Sequence, residues 1–159
     1  MGALSQMSGQ RIELELLVRA PADRVWAVLT DVAHADQTLS GVTKVEPLTE
    51  GPYGVGTKWR ETRRMFGRED TQQLQVTLAE EPVRTVVEAD SSGVHYVTEL
   101  TLTPAGDATR LAMGFTAVQA RTTPVQKTLW ALFGRLGAKA TEKAMAEDLR
   151  HLAARAESR

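Results

Sequence analysis

Residues 11–19, RIELELLVR, alternate with a period of two: Ile12, Leu14, Leu16 and Val18 fall on one face, Glu13 and Glu15 on the other. That is the pattern of a half-buried strand. Ala20-Pro21-Ala22-Asp23 then turns the chain into a helix beginning near Pro21, with Val25, Trp26, Val28 and Leu29 as its apolar face. A second short helical turn is expected from His34 to Leu39, ended by Ser40-Gly41. From residue 42 to 119 the pattern is strand after strand, over 42–48, 57–65, 68–79, 85–89, 94–102 and 110–118, punctuated by GPYGVG, Gly67, Glu81-Pro82, Ser91-Ser92-Gly93 and Pro104-Ala105-Gly106-Asp107. Turns this close together favour an antiparallel meander, because parallel crossovers need a helix each time.

The period changes once more in the last third. Over residues 122–156, Leu129, Leu132, Phe133, Leu136, Ala140, Met145, Leu149 and Leu152 recur at helical spacing, while Lys127, Arg135, Lys139, Lys143, Glu147 and Arg150 face elsewhere. Pro124 suits a first turn, and only Gly134 and Gly137 interrupt the residues after it. The pattern predicts one amphipathic helix, roughly 45–50 Å long at 1.5 Å per residue. Its apolar stripe needs an apolar partner, and the strands supply one. Strand, two short helices, six strands and a long helix therefore predict an α+β domain in which a seven-stranded antiparallel sheet wraps around the C-terminal helix. One domain is expected over residues 10–156, with 1–9 as a flexible leader.

Bulk properties narrow the function classes. With 159 residues, 42% apolar and 25% charged, the chain suits one domain with an ordinary core. A net charge of −1 and a pI near 6.3 give no electrostatic reason to expect nucleic acid. There is no cysteine, which excludes disulfides and thiolate chemistry and suits a reducing cytoplasm. No run approaches the 18 or so apolar residues of a membrane span, and the start, MGALSQMSGQ, lacks the regions of a signal peptide.

The order of elements and their punctuation resemble the START-like or SRPBCC superfamily of birch-pollen-allergen-like proteins, polyketide cyclases and aromatases, and START lipid-transfer domains. Ala20-Pro21-Ala22-Asp23-Arg24-Val25-Trp26, Gly54-Val55-Gly56-Thr57-Lys58-Trp59, Glu81-Pro82-Val83-Arg84 and Gly106-Asp107-Ala108-Thr109-Arg110-Leu111 carry the resemblance, which covers about residues 10–155. It implies a helix-grip fold and a cavity between sheet and C-terminal helix. These signatures are turn chemistry and packing, so they speak for fold more than for activity.

The third strand holds the informative chemistry. Lys58, Arg60, Thr62 and Arg64 are uniformly polar, so that set faces solvent and turns Trp59, Glu61, Arg63 and Met65 toward the helix. Two charges then point inward. An isolated buried charge is expensive, so Glu61 and Arg63 pair with each other or a neighbour, or touch water in a cavity. The alternative is a curled sheet edge on which they form a surface ion pair worth under about 1 kcal/mol. The fourth strand shares one face among Asp70, Gln72, Leu74, Val76 and Leu78, polar at one end and apolar at the other. Tyr96 falls in phase with Val94, Thr98, Leu100 and Leu102, either as a pocket donor or as a core tyrosine bonded to backbone. Met113 and Phe115 supply apolar wall, as do Leu129, Phe133 and Leu136 of the long helix, and Trp26 reads as core.

His34, His95 and His151 form no metal-binding motif, and neither a nucleophile elbow nor a phosphate loop is present, so no metal or cofactor is expected. The favoured reading is a binding module for an apolar or amphipathic small molecule, a lipid, polyketide or aromatic metabolite. Its ligand contacts are Trp59, Glu61, Arg63, Met65, Leu74, Tyr96, Met113, Phe115, Leu129, Phe133 and Leu136. The alternative that the resemblance implies is a polyketide cyclase or aromatase using the same cavity, with Glu61 as base and Arg63 and Tyr96 stabilising developing oxyanions. A protein-binding, co-chaperone-like role would call for an exposed apolar patch, and the outward faces are well charged.

Overall fold

The computed structural model describes residues 9–65, 67–91, 93–119 and 124–158, and the side chains of these except at 9, 10, 65, 119 and 124–137. Seven strands, β1 (Gly9–Val18), β2 (Val42–Pro47), β3 (Lys58–Met65), β4 (Arg68–Glu80), β5 (Arg84–Ser91), β6 (Val94–Ala105) and β7 (Ala108–Gln119), form one sheet in the order β1-β7-β6-β5-β4-β3-β2, antiparallel throughout. Helix α1 (Ala22–Leu29), a 3₁₀ turn at Val32–His34 and α2 (Ala35–Thr38) follow β1, and α3 (Pro124–Glu157) follows β7. This is the seven-stranded helix grip expected from the pattern. The leader expected over 1–9 lies outside the described residues except for Gly9, which already belongs to β1.

Local chemistry accounts for the junctions. Pro21 precedes α1 with an extended backbone, and its carbonyl accepts from the N–H groups of Arg24 and Val25. Thr30 ends the helix with its hydroxyl on the Trp26 carbonyl at 2.8 Å. Between β6 and β7 only Gly106 and Asp107 separate the paired residues Ala105 and Ala108, a turn that requires the positive φ of 65° found at Gly106.

Alternation places Val18, Leu111, Met113 and Leu102 on the concave face, where they meet Val25 and Trp26 of α1 and Met145, Leu149, Leu152, Ala153 and Ala156 of α3. Thr109, fully buried among them, donates its hydroxyl to the Ala20 carbonyl at 2.7 Å. The second half of α3 thus rests on β1 and α1, with Arg19 N–H bonded to Glu157 near its end. The expected stripe is correct at Met145, Leu149 and Leu152; its members Leu129, Leu132, Phe133 and Leu136 lie outside the described side chains.

Strand β4 departs from the simple alternation. A register shift sets Val76 opposite Val87 but Leu78 opposite Val86, so the strand changes phase between them. Val76 is fully buried, whereas Leu78 is not on the face that alternation assigns to both. A bulge inserts one residue against the partner strand and so reverses the facing of everything after it.

Candidate functional site

Strand β3 faces as its polar parity predicts. Arg60 and Arg64 are exposed, and Thr62 bonds Thr71 across to β4 at 2.8 Å on the outer surface. Trp59 and Glu61 are buried, Glu61 with only 8% of its surface accessible. Side chains two apart on a strand share a face, and here they bond in series. Trp59 Nε1 donates to Glu61 Oε2 at 3.2 Å, and Arg63 Nε donates to Glu61 Oε1 at 2.7 Å. The guanidinium then reaches across to α3, where Nη2 lies 2.9 Å from Asp148 Oδ2. The inward charges are therefore a four-residue network joining β3 to the helix, not an exposed pair at a sheet edge.

Two carboxylates share one guanidinium in a space where Arg63 is 28% and Asp148 13% exposed at the side chain. Burial disfavours the charged guanidinium, but Glu61 and Asp148 more than offset it, so Arg63 is held well above its ordinary range and stays charged. Asp148 behaves differently. Burial pushes its carboxyl up from the ordinary 3.8, Arg63 only partly reverses this, and the nearby Glu61 charge adds to the rise. One turn further along α3, His151 Nδ1 is buried with no hydrogen-bond partner among the described residues.

Beside this network the register lines up one row of inward positions, Trp59–Leu74–Ala89–Tyr96–Ala117, running from β3 to β7. Two of the five are alanines, Ala89 between Leu74 and Tyr96 and Ala117 beyond Tyr96 at the end of the row. Tyr96 stacks on Phe115 with centroids 5.7 Å apart and planes at 26°. Burial raises its hydroxyl pKa, with the Asp70 charge adding to the effect. Among the described residues the hydroxyl has no hydrogen-bond partner, so Tyr96 is not bonded to backbone there. Asp70 and Gln72, bonded to each other at 3.0 Å, occupy the polar end of β4. Met113 belongs to the buried core and Phe115 packs against it. The expected contacts at Met65, Leu129, Phe133 and Leu136 fall on side chains outside the described residues.

Three features escape a reading of the sequence. Asp148 carries no signal of its own, although it sits between Met145 and Leu152 and so flanks the buried stripe. Tyr53 stands in a glycine-rich turn, yet it meets Trp26 edge to face at 6.2 Å and its hydroxyl lies 2.7 Å from that of Thr85. Thr85 donates its own proton to the Leu78 carbonyl, so Tyr53 is the donor. On the outer face, His95 bridges Glu88 (2.8 Å) and Asp90 (2.7 Å), a cluster visible only once β5 and β6 are in register. Trp26 is core, as expected. Among the described residues no group of three or more potential ligands could hold a metal ion, and no helix is long and apolar enough to cross a membrane.

Comparison with known proteins agrees with this architecture. The model of the family described as "polyketide cyclase / dehydrase and lipid transport" matches residues 9–157. No curated protein matches the sequence significantly. Among solved structures, TTHA0849 from Thermus thermophilus superposes with a TM-score of 0.78 at 20% identity, covering 92% of this chain and 97% of that one. The Zhui aromatase/cyclase from Streptomyces sp. R1128 gives 0.72 at 23% identity, covering 94% of each chain. Truncated norcoclaurine synthase from Thalictrum flavum gives 0.71 at 20% identity, covering 92% of each. At these identities the likeness is one of fold.

Proposed function

Because the chain belongs to the polyketide cyclase / dehydrase and lipid transport family, we propose that it binds an apolar or amphipathic small molecule between the concave face of its sheet and α3. Polyketides and lipids, the molecules in the family's description, share a long apolar body with a few oxygen functions. The ligand class proposed here is accordingly a lipid, polyketide or aromatic metabolite, met in a reducing cytoplasm by a cysteine-free protein.

The observation that carries this reading is the row Trp59–Leu74–Ala89–Tyr96–Ala117, whose Tyr96 hydroxyl has no hydrogen-bond partner among the described residues. In this reading the small Ala89 between Leu74 and Tyr96 leaves room for a ligand over the sheet, and a polar hydroxyl over an apolar floor is the usual makeup of a small-molecule site. The network of Glu61, Arg63 and Asp148, joined to the row at Trp59, would give that space a charged end.

Native mass spectrometry of the freshly purified protein tests the reading, together with tryptophan emission titrated with a long-chain fatty acid and a polycyclic phenol. A co-purifying apolar mass, or saturable emission change altered by Tyr96→Phe, supports it. No carried mass and no emission response to either probe overturns it.

A cyclase or aromatase activity in the same space is the second reading. It is favoured by one observation, the Asp148 carboxyl that burial raises from its ordinary 3.8, the direction that suits an acid-base group. Glu61, the base expected from sequence, already accepts hydrogen bonds from Trp59 and Arg63.

A further inference from the structure

An open cleft of about 620 Å³ lies outside the sheet, between α1, α2 and the end of α3. It opens on the other side of α1 from the concave face: Val25 and Trp26 turn into the core, Arg24 and Ala27 are exposed toward the cleft, and Val28, which packs against the core, forms part of the cleft's floor. Its volume falls in the range of small-molecule sites. Arg24 enters from α1 and Arg155 from the last turn of α3.

These two arginines differ from most of those on the sheet. Arg11, Arg60, Arg63, Arg84 and Arg110 all hold carboxylates, whereas among the described residues neither Arg24 nor Arg155 has a carboxylate within ion-pair distance. The one acid in the lining, Asp31, is already bound by His34 Nδ1 at 2.9 and 3.0 Å from its two oxygens. A helix C-terminus ordinarily repels anions through its free carbonyls. Here Ser158 answers two of them, its N–H bonding the Ala154 carbonyl at 3.0 Å and its hydroxyl the Arg155 carbonyl at 2.9 Å.

From these contacts we infer that the cleft is a second binding site, for a small molecule whose oxyanion, a carboxylate or a phosphate, is held by Arg24 and Arg155 while a short apolar body covers Ala27 and Val28. Guanidinium groups suit both oxyanions through paired N–H donors. The cleft is open, so binding is weak and salt-sensitive, as for other exposed charge pairs.

The test is a two-dimensional ¹H–¹⁵N spectrum of the whole protein titrated separately with hexanoate, phenyl phosphate and the neutral control benzyl alcohol. Saturable shifts at Ala27, Val28 and Thr38 with either anion, absent with benzyl alcohol, are the expected result. Hexanoate and phenyl phosphate distinguish the two oxyanion classes. Arg24→Gln and Arg155→Gln should each weaken binding by about tenfold, the loss of one charge-assisted hydrogen-bonded contact, whereas Arg150→Gln, on an exposed position of α3 outside the cleft, leaves it unchanged. Because the two cleft side chains are exposed, folding of the variants is checked by the unchanged remainder of the spectrum. Non-saturating shifts, shifts confined to the concave face around Tyr96 and Phe115, or undiminished affinity in both arginine variants would each overturn the inference.

Discussion

Asp148 Oδ2 lies 2.9 Å from Arg63 Nη2, and that contact joins α3 to β3, far across the sheet from the β1 strand on which the helix mainly rests. It acts as a strap across the grip. Removing one partner of a buried pair leaves the other charge uncompensated, at about 3–5 kcal/mol when burial is complete. Arg63 keeps Glu61 when Asp148 is lost, and both are partly exposed, so Asp148→Ala is expected to cost about 2 kcal/mol. Arg63→Met strands two carboxylates and should cost more, about 3 kcal/mol. Urea unfolding midpoints measure both. A change within about 0.5 kcal/mol for Asp148→Ala, the level of an ordinary surface substitution, would remove the strap.

How much of this is legible in the sequence depends on where each constraint lives. The parity of β3 can be read because four polar residues in alternate positions leave little freedom for the opposite face, so Trp59, Glu61 and Arg63 are placed correctly. Asp148 is not, because a carboxylate flanking a helical stripe looks the same whether it meets solvent or a guanidinium from a strand eighty-odd residues earlier. The phase change at Leu78 comes from a backbone register shift that leaves no mark in hydropathy. Tyr53 and His95 depend on partners from other elements, Thr85 for one and Glu88 with Asp90 for the other, which only the register brings close.

The His95 cluster predicts a pH dependence. Hydrogen bonds to Asp90 and Glu88 raise His95 above its ordinary 6.5 despite some desolvation, and bonds from Thr77 and His95 lower Glu88 below its ordinary 4.5. A raised histidine contributes stability that is complete below 6.5 and is lost as pH rises through its folded value. The lowered glutamate contributes stability that is complete above 4.5 and is lost as pH falls through its folded value. The cluster therefore helps most between 4.5 and 6.5. Melting temperatures across pH should show His95→Gln losing stability relative to the native chain in that window and converging with it in alkaline buffer. A difference that does not change with pH would show that the cluster does not titrate as described.

Tyr96→Phe separates binding from folding. Its hydroxyl has no protein partner among the described residues, so removing it should leave the unfolding free energy within about 0.5 kcal/mol. A ligand oxygen that accepts from that hydroxyl would lose one hydrogen bond, a weakening of about three- to tenfold. Isothermal titration with a hydroxylated and a matched hydrocarbon probe reads the difference directly. Equal affinities for both probes in the native chain and the variant would place the hydroxyl outside the binding site.

Glu61→Gln decides between the two functional readings. Each carboxylate oxygen of Glu61 already accepts one hydrogen bond, from Trp59 or from Arg63, yet a carboxylate offers about four acceptor positions, so room for a substrate proton remains. Glutamine retains an acceptor for one of the two donors but cannot act as a base. As a binding module the protein should tolerate the change with affinity altered by no more than about threefold, the loss of one modest hydrogen bond. As a cyclase using Glu61 as base it should lose about 10²- to 10⁴-fold in turnover with affinity nearly intact. The assay is release of aromatic product from a synthetic poly-β-ketone thioester, measured beside affinity for the same compound. Turnover that survives in Glu61→Gln and falls in Asp148→Asn would move the acid-base role to the helix, where burial has already raised the carboxyl; turnover absent from the native chain, with saturable binding, would leave the sheet and helix as a carrier for the intact molecule.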